Sequence, residues 1–283
     1  MTPVDLTITP RDRRFGRARR MQRHWLNGDP FATAFFNALS ITFPRGEAFF
    51  IDSVRAFREG ASDKLRQEIA AFIKQEVVHS REHLAFNRQV TDQGYDVSRL
   101  DADVTMVLDL AYRRPPIVRL AATMALEHFT AILAHELLRD PRHLDGADPD
   151  LAALWRWHAV EEIEHKGVAH DTWVHATRDW PRLRRWWVRS LMMLIVTRHF
   201  LHHRARGMVD LLRQDGITGI RAWGGLLHYA LARPGIVRRV ALPWLGYFLP
   251  GFHPWKVDDR ALIALADTPY EDARMESALP SIA

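Results

Sequence analysis

Two copies of the motif Glu-x-x-His, each preceded by a lone glutamate, carry the chemistry that this sequence suggests. In chain order these residues are Glu47, Glu76-x-x-His79, Glu127 and Glu162-x-x-His165. Residues three or four apart share one face of a helix, so the carboxylate and the imidazole of each copy can reach one ion. The order Glu, Glu-x-x-His, Glu, Glu-x-x-His is the ligand pattern of a helical bundle that holds two metal ions.

A further histidine, His158, lies four residues before Glu162 and shares its predicted helix face. The motif pattern itself predicts six metal ligands: Glu47, Glu76, His79, Glu127, Glu162 and His165. Glu76 and Glu162 are best placed to bridge two ions and are the predicted catalytic carboxylates. Two ions roughly 3.5–4 Å apart would lie between them.

Three neighbouring side chains have more than one interpretation. His83 could be an extra ligand, a proton relay or a hydrogen-bond partner of a ligand, and we favour the last role. Glu161 also lies four residues before His165 and could replace Glu162 as a ligand, although it fits the helix face of His158 less well. Glu164 points further away and is expected at the surface or as a carboxylate outside the ligand set.

A single Glu-x-x-His is usually an exposed pair on a helix surface. Here the motif occurs twice, and the lone glutamates stand in apolar surroundings. Glu127 follows the apolar run 120–126, where a buried carboxylate would need a partner. We therefore favour a metal centre over surface pairs. His128 and His135 lie on a different face from Glu127 and are expected to make ordinary polar contacts.

The composition limits the class of protein. The chain has 283 residues and no cysteine, and 47% of its residues are hydrophobic. Thiolate metal sites, disulfides and a cysteine nucleophile are excluded, so a metal must be bound by nitrogen and oxygen ligands. We expect a soluble, cytoplasmic protein without a signal peptide or a membrane span.

The net charge is +5, and nearly all of the basic residues are arginine, which clusters at 11–23 and 178–189. No nucleic-acid-binding motif accompanies these clusters, so we expect no nucleic acid partner. Solvated helix faces and salt bridges are expected to accommodate most of this charge. A contact with a membrane surface is an alternative for the C-terminal helices, whose tryptophans suit an interface. These are Trp186, Trp187, Trp223, Trp244 and Trp255.

Apolar residues recur mainly at helical spacing, which predicts an all-α fold. Helices are predicted at 29–39, 44–59, 63–93, 104–113, 117–138, from 151 to beyond 173, and 182–212. The four ligand groups fall on four of these helices, as a ferritin-like four-helix bundle requires. We predict a basic N-terminal segment (1–28), the bundle (29–180) and a helical extension packed on the bundle (181–283), which ends in a polar tail.

Four segments resemble a known family. They are Phe43-Pro44-x-Gly46-Glu47-x-Phe49-Phe50, Glu76-x-x-His79-x-x-x-His83, Trp157-His158-x-x-Glu161-Glu162-x-Glu164-His165-Lys166 and Phe252-His253-Pro254-Trp255. Together they resemble the bacterial predicted metal-dependent hydrolases over most of the chain. The ligand pattern alone is similar to that of the di-iron arylamine N-oxygenases, which also have an extra histidine where His158 stands. This second resemblance implies three histidines and four carboxylates around two ions, with His158 as the seventh metal ligand. It implies nothing about the substrate.

The leading functional hypothesis from the sequence is a di-iron oxidase or oxygenase that activates O2 and oxidises a small organic molecule. Iron is the expected metal, with manganese and zinc as alternatives, and an external electron donor would be needed. The first alternative is a two-metal hydrolase that uses a metal-bound hydroxide. The second is metal storage, against which the large C-terminal extension argues. Substrate and oligomeric state stay open.

Overall fold

The computed structural model describes residues 2–3, 5–15 and 20–266. Its α-helices are α1 (Pro30–Ser40), α2 (Phe43–Arg55), α3 (Asp63–Asp92), α4 (Ser98–Tyr112), α5 (Pro116–Arg139), α6 (Pro149–His165), α7 (Val168–Ala176), α8 (Arg182–Gln214), α9 (Gly219–Leu227) and α10 (Ile236–Gly246). Among the described residues, strand-like pairing is limited to one isolated bridge between Leu26 and Ala147. The all-α prediction is confirmed.

Local sequence signals mark both ends of α3 and the start of α5. The Ser62 hydroxyl accepts a hydrogen bond from the Leu65 N–H (3.3 Å) at the start of α3, as expected for an N-terminal cap. After α3 ends, Gly94 has φ +85°, a conformation that glycine adopts without strain. At the start of α5, Pro116 stands where its missing N–H leaves no intrahelical bond unmade.

The four helices that carry the predicted ligands pack around one another. Helix α2 packs against α3 and α5, while α6 packs against α5 and α3. Each of these helices contributes buried apolar residues to the core, among them Phe49, Phe72, Leu120 and Ile163. The glutamates and histidines of the motifs are buried as well.

The structure corrects several predicted boundaries. The long helix expected from 151 to beyond 173 ends at His165, and a second helix begins at Val168. Between them, a Cβ atom on Gly167 would collide with Thr2 and Trp255, so chain segments from both termini pack into this break. Helix α2 ends at Arg55 instead of Glu59, and α4 begins at Ser98, six residues before the predicted start.

The C-terminal helices cover the outside of the ligand-bearing helices. Helix α8 packs against α1 and α5, and α10 packs against α5. After α10, Asp259 accepts a hydrogen bond from the buried Lys166 ammonium, which ties the end of the described chain to the residue after α6. The division into segment, bundle and extension stays a prediction. The predicted polar tail (267–283) and residues 16–19 of the basic segment lie outside the described residues.

Helix α5 is the one described helix long and apolar enough to cross a membrane. Of its most apolar window, 61% is buried inside the protein, and the helix packs against α2, α6, α7 and α8. Its apolar composition is therefore accounted for by its place in the core.

Candidate metal centre

The seven predicted ligands converge on one buried cluster. Glu47 comes from α2, Glu76 and His79 from α3, Glu127 from α5, and the other three from α6. None of these residues is more than 5% exposed, and three of them are fully buried. Ionisable groups are almost never buried at this density unless they are paired with one another or hold a metal.

Glu162 lies between the two ends of the cluster. One of its oxygens, Oε1, is 3.1 Å from His158 Nε2 and 3.5 Å from His79 Nδ1. Its other oxygen, Oε2, is 3.5 Å from His165 Nε2. The carboxylate therefore faces imidazoles of both ends, which is the position required of a bridging ligand.

Glu76 occupies a matching position on α3. Its Oε1 is 3.2 Å from His165 Nε2, and its Oε2 is 4.0 Å from His79 Nδ1. Donor atoms of Glu76 fall in two compact groups, one with Glu47 and His79 and one with Glu127 and His165, and within each group the atoms lie within 4.8 Å of one another. The geometry thus places the lone glutamates at opposite ends and Glu76 between them.

Most of the inward-facing ligand atoms of this cluster lack hydrogen-bond partners. The buried atoms without a partner include Glu47 Oε1, both oxygens of Glu76, His79 Nδ1, both oxygens of Glu127, Glu162 Oε2 and His165 Nε2. Leaving one buried polar group unpaired costs about 1–3 kcal/mol. Eight such atoms aimed at one interior are difficult to reconcile with a purely structural role, and oxygen and imidazole nitrogen are suitable donors for first-row metals. The residues present therefore fit a metal centre.

Hydrogen bonds outside the cluster fix which nitrogen of His79 is free. Glu161 Oε2 is 3.0 Å from His79 Nε2 and accepts a hydrogen bond from it. The proton therefore lies on Nε2, which leaves Nδ1 unprotonated and facing the carboxylates. The other oxygen of Glu161 accepts from the Arg11 N–H (2.9 Å). Because both oxygens are engaged, Glu161 is a positioning partner of His79, and we do not include it among the ligands.

Gln75 performs the same task for His165. Gln75 Oε1 accepts from His165 Nδ1 (2.9 Å), and Gln75 Nε2 donates to Glu164 Oε2 (2.9 Å). Because the Nδ1 proton is held on the outer side, Nε2 of His165 faces the cluster, where a metal would displace the proton that the metal-free ring retains there. Gln75 was not predicted as a site residue, because an amide beside a glutamate carries no motif signal of its own.

A chain of three hydrogen bonds sets the tautomer of His158. The Ser40 hydroxyl donates to Asn87 Oδ1 (2.7 Å), so its oxygen can accept from His83 Nδ1 (2.8 Å). His83 Nε2 is then unprotonated and accepts from His158 Nδ1 (2.9 Å). His158 Nε2, which faces Glu162, is left free for a metal. Both ring nitrogens of His83 are used in this chain, which supports its predicted role as a partner of a ligand.

We expect His83→Phe to weaken metal binding about 10–100-fold, the usual cost of removing the hydrogen-bond partner of a ligand histidine. His83→Gln should retain much of the affinity, because the glutamine oxygen can still accept from His158 Nδ1. Titration with a competing chelator measures both affinities, with the exposed His202→Phe variant as control. Equal losses for the two His83 variants would instead make His83 itself a ligand.

The N-terminal segment lies directly over this outer layer. The Arg11 guanidinium lies 2.8 Å from Glu164 Oε1 and 3.5 Å from Glu161 Oε1, and the Phe15 N–H donates to Glu82 Oε2 (2.9 Å). Glu164 is buried, so its expected surface position is wrong and the alternative as an outer carboxylate holds. Arg11 was assigned only to a charged cluster, because nothing local marks it as a partner of α6.

The pKa values reflect the crowding of carboxylates. Burial, followed by the charges of neighbouring glutamates, raises the pKa of Glu76 and that of Glu47 well above the usual value, although Ser80 opposes the rise at Glu47. Burial raises the pKa of Glu127 to about 8. Burial lowers the pKa of His165, but the Glu162 carboxylate outweighs it and raises that pKa to about 9. Without metal, the centre thus retains protons that nearby cations would displace.

A second group of donor atoms, from His170, Asp171 and His253, has a different character. His253 Nδ1 accepts from the Trp255 N–H (3.1 Å), so Nε2 carries the proton and donates to Asp171 Oδ1 (3.1 Å). Asp171 Oδ2 also accepts from the N–H and the hydroxyl of Thr2. These bonds tie the segment 252–255 and the N-terminus to α7, which gives this motif of the sequence a structural role.

A cavity of about 260 Å³ lies next to the residues that directly follow the predicted ligands Glu127 and His165 in the chain. His128 and Lys166 line it, and Ile132, Leu249 and Phe252 make much of its wall apolar. His128 Nε2 bonds to the Pro243 carbonyl (3.2 Å) and His135 to Asp259 (2.9 Å), which are the polar contacts expected of these histidines.

Comparison with known proteins gives one match. A family model described as predicted metal-dependent hydrolase matches residues 9–258. The chain belongs to this family. No curated protein and no solved structure matches the chain. The matched region includes the seven predicted ligands, Arg11 and the segment 252–255, and the family description agrees with the resemblance found in the sequence. The family description supports metal dependence and favours the hydrolytic alternative over the oxidative hypothesis.

Proposed function

We propose that the protein is a hydrolase that depends on two metal ions held between Glu76 and Glu162. The observation that carries the proposal is the set of buried, inward-facing ligand atoms without hydrogen-bond partners. Membership of a family described as metal-dependent hydrolases supports the reaction type. From the sequence alone the oxidase or oxygenase was the leading hypothesis and the hydrolase the alternative, and the family match favours the reverse order.

The ligands divide between two positions. Glu47, His79 and His158 would hold one ion, Glu127 and His165 the other, and the two remaining glutamates would bridge them. Four carboxylates contribute four negative charges, which two divalent cations would neutralise. A neutral buried centre avoids the desolvation penalty of isolated charges. This balance supports two ions over one.

Two bound ions would polarise a carbonyl or phosphoryl oxygen and lower the pKa of a coordinated water. The chain itself supplies orientation and a dry surrounding. Phe43 stacks on the His158 ring (4.9 Å between centroids, 9° between planes), while Phe72 and Trp157 contact His165 and His79 edge-on. These rings limit rotation of the three imidazoles and exclude water from the sides that do not face the carboxylates.

We further propose that α2, α3, α5 and α6 form a ferritin-like four-helix bundle, with residues 181–283 as an extension. The support is the mutual packing of these four helices and the Glu, Glu-x-x-His order of their ligands. The first 28 residues would form a separate segment, part of which orders the partners of His79 through Arg11.

An iron-dependent oxidation is the second candidate, and the carboxylate-rich ligand set with three imidazoles favours it. In that case the same residues would hold iron, O2 would be a co-substrate and an external electron donor would be required. The ligand geometry suits both reactions, so the metal and the co-substrate requirement distinguish them.

The test compares one protein loaded with different metals. Metal-free protein is reconstituted anaerobically with zinc, manganese or ferrous iron, and assayed against carboxylic and phosphoric esters of p-nitrophenol. We expect hydrolysis that needs a metal but not O2, and that is lost in Glu76→Gln. Absence of hydrolysis with every metal, together with an absorption band that appears when the ferrous protein meets O2, would favour the oxidative candidate.

A further inference from the structure

Helix α8 is apolar on two opposite faces. Its inner face buries Met193, Val196 and Leu211 in the core. Its outer face exposes Leu183, Trp187, Leu191 and Leu194, each between 51% and 66% accessible to solvent. Their spacing of four, four and three residues aligns them along one side of the helix. A helix on the surface of a soluble protein normally has a polar outer face. In α8 these four apolar residues stand where polar side chains are expected.

Helix α10 carries a similar exposed line. Leu242 and Leu245 are 77% and 52% exposed and lie on the side of α10 opposite its buried Val240, and Leu249, in the turn after the helix, is 62% exposed. Because α10 rests on the core with its buried side, these leucines point outward.

Two tryptophan side chains link α8 to α10 and to the turn that follows it. The Trp186 indole N–H donates to the Phe248 carbonyl (2.8 Å), and that of Trp244 donates to Thr197 Oγ1 (2.9 Å). We call these two exposed lines together the apolar face: Leu183, Trp187, Leu191, Leu194, Leu242, Leu245 and Leu249. A patch of this kind on a soluble protein marks a site of interaction with a partner or a membrane.

Arginines are interleaved with the apolar face. Arg198 follows Leu194 by four residues on the outer side of α8, and Arg238 precedes Leu242 by four on α10. Both are exposed, and among the described residues no carboxylate lies within ion-pairing distance of either. Arg184 is also exposed, above the Trp180 ring at 4.0 Å. The face thus combines leucine and tryptophan with unpaired positive charge.

Acidic residues are scarce in this part of the chain. Between positions 181 and 257 they are Asp210 and Asp215, and both form ion pairs, with Arg213 and Arg23 respectively. A two-fold dimer through the apolar face would bring its arginines against their own copies with no carboxylate to neutralise them. A negatively charged lipid surface, in contrast, would satisfy both the leucines and the arginines.

We propose that the apolar face docks the protein on a membrane surface that contains anionic lipids. In the docked state the leucines and Trp187 enter the boundary between headgroups and acyl chains, and Arg184, Arg198 and Arg238 contact lipid phosphates. Of the five tryptophans first considered for an interface, Trp187 takes part directly. Trp223 is also exposed but lies on α9, and the other three are at least partly buried. The proposal is independent of the reaction at the metal centre.

The test is flotation of the full-length protein with phosphatidylcholine vesicles, with and without phosphatidylglycerol. We expect binding to the anionic vesicles, and weaker binding to neutral vesicles and at high salt. Leu191→Glu combined with Leu194→Glu should lower the partition coefficient by about ten-fold or more. Arg198→Gln should lower it about five-fold on anionic vesicles, since one arginine near such a surface contributes about 1 kcal/mol.

A matched control comes from α4, where Met106 and Leu110 are 50% and 56% exposed. Met106→Glu combined with Leu110→Glu adds the same charge at similar exposure and should leave flotation unchanged. Thermal unfolding verifies that each variant is folded. The proposal is overturned if wild-type protein does not float, or if both double variants lose binding equally. It is also overturned if sedimentation shows a wild-type dimer that the α8 variant alone converts to monomer, because a second copy would then cover the face.

Discussion

Glu162→Ala should remove at least one metal ion from each chain. The carboxylate faces His158 and His79 through one oxygen and His165 through the other, so its loss takes a ligand from both proposed positions. The loss of bound metal should be larger than for any substitution outside the ligand set, because Glu162→Ala removes an anionic ligand of the metal itself. Metal content per chain, measured by mass spectrometry after gel filtration, should fall from two ions to one or none.

Two companion variants separate charge from shape in this experiment. Glu162→Gln retains the side-chain volume but removes the negative charge, and it should lose metal nearly as completely. The exposed Glu59→Ala removes a glutamate of the surface and should leave metal content unchanged. A Glu162→Ala protein that retains two tightly bound ions would show that the bridging assignment is wrong.

Metal-free protein should lose stability as the pH rises from 7 to 9. The folded pKa of Glu127 is about 8, against 4.5 for an ordinary glutamate, and that of His165 is about 9, against 6.5. In both cases the folded state binds protons that the unfolded chain has released. Stability is therefore highest below the unfolded pKa and is lost as the pH rises through the folded pKa. Each such proton contributes about 1.4 kcal/mol per pH unit.

The pH range of this prediction begins at 7 because two buried histidines have the opposite effect on stability at lower pH. Burial lowers the pKa of His79 and that of His83 well below 6.5, and groups of this kind make stability increase with pH only up to their unfolded pKa. Above pH 7 these two histidines are largely neutral in both states and no longer oppose the effect of Glu127 and His165.

Urea unfolding at pH 7, 8 and 9, in chelator and in excess metal, measures the pH effect. Bound cations hold the carboxylates ionised at every pH, so the stabilisation by metal should increase across the window. Glu127→Gln should reduce the slope of the metal-free protein. A metal-free protein whose unfolding free energy is constant or rises from pH 7 to 9 would contradict the assigned pKa directions.

The sequence contained enough local information to place most helices and to select the residues that meet at the centre. Helix α3 is an example, because Ser62, Gly94 and a regular apolar spacing mark its whole length. The spacing of the motifs predicted the site residues for the same reason, because residues three and four apart on a helix share a face in any fold.

Contacts between distant parts of the chain were not predictable in this way. The end of α6 at His165 depends on Thr2 and Trp255, which pack at Gly167 from the two ends of the chain. Likewise, Gln75 and Arg11 hold ligand histidines or their partners through bonds across about 90 and 150 residues of sequence separation. Such partners have no periodic or motif signal, because their role exists only once the helices have packed.

The most direct test of the metal centre is anomalous diffraction from crystals of the metal-loaded protein. We expect two peaks among the four ligand-bearing helices, with Glu76 and Glu162 between them and Nδ1 of His79 directed at one. Peaks at His170, Asp171 and His253 and none at the cluster of seven would contradict this prediction. A single peak inside the bundle would contradict the two-ion assignment while leaving the ligand set in place.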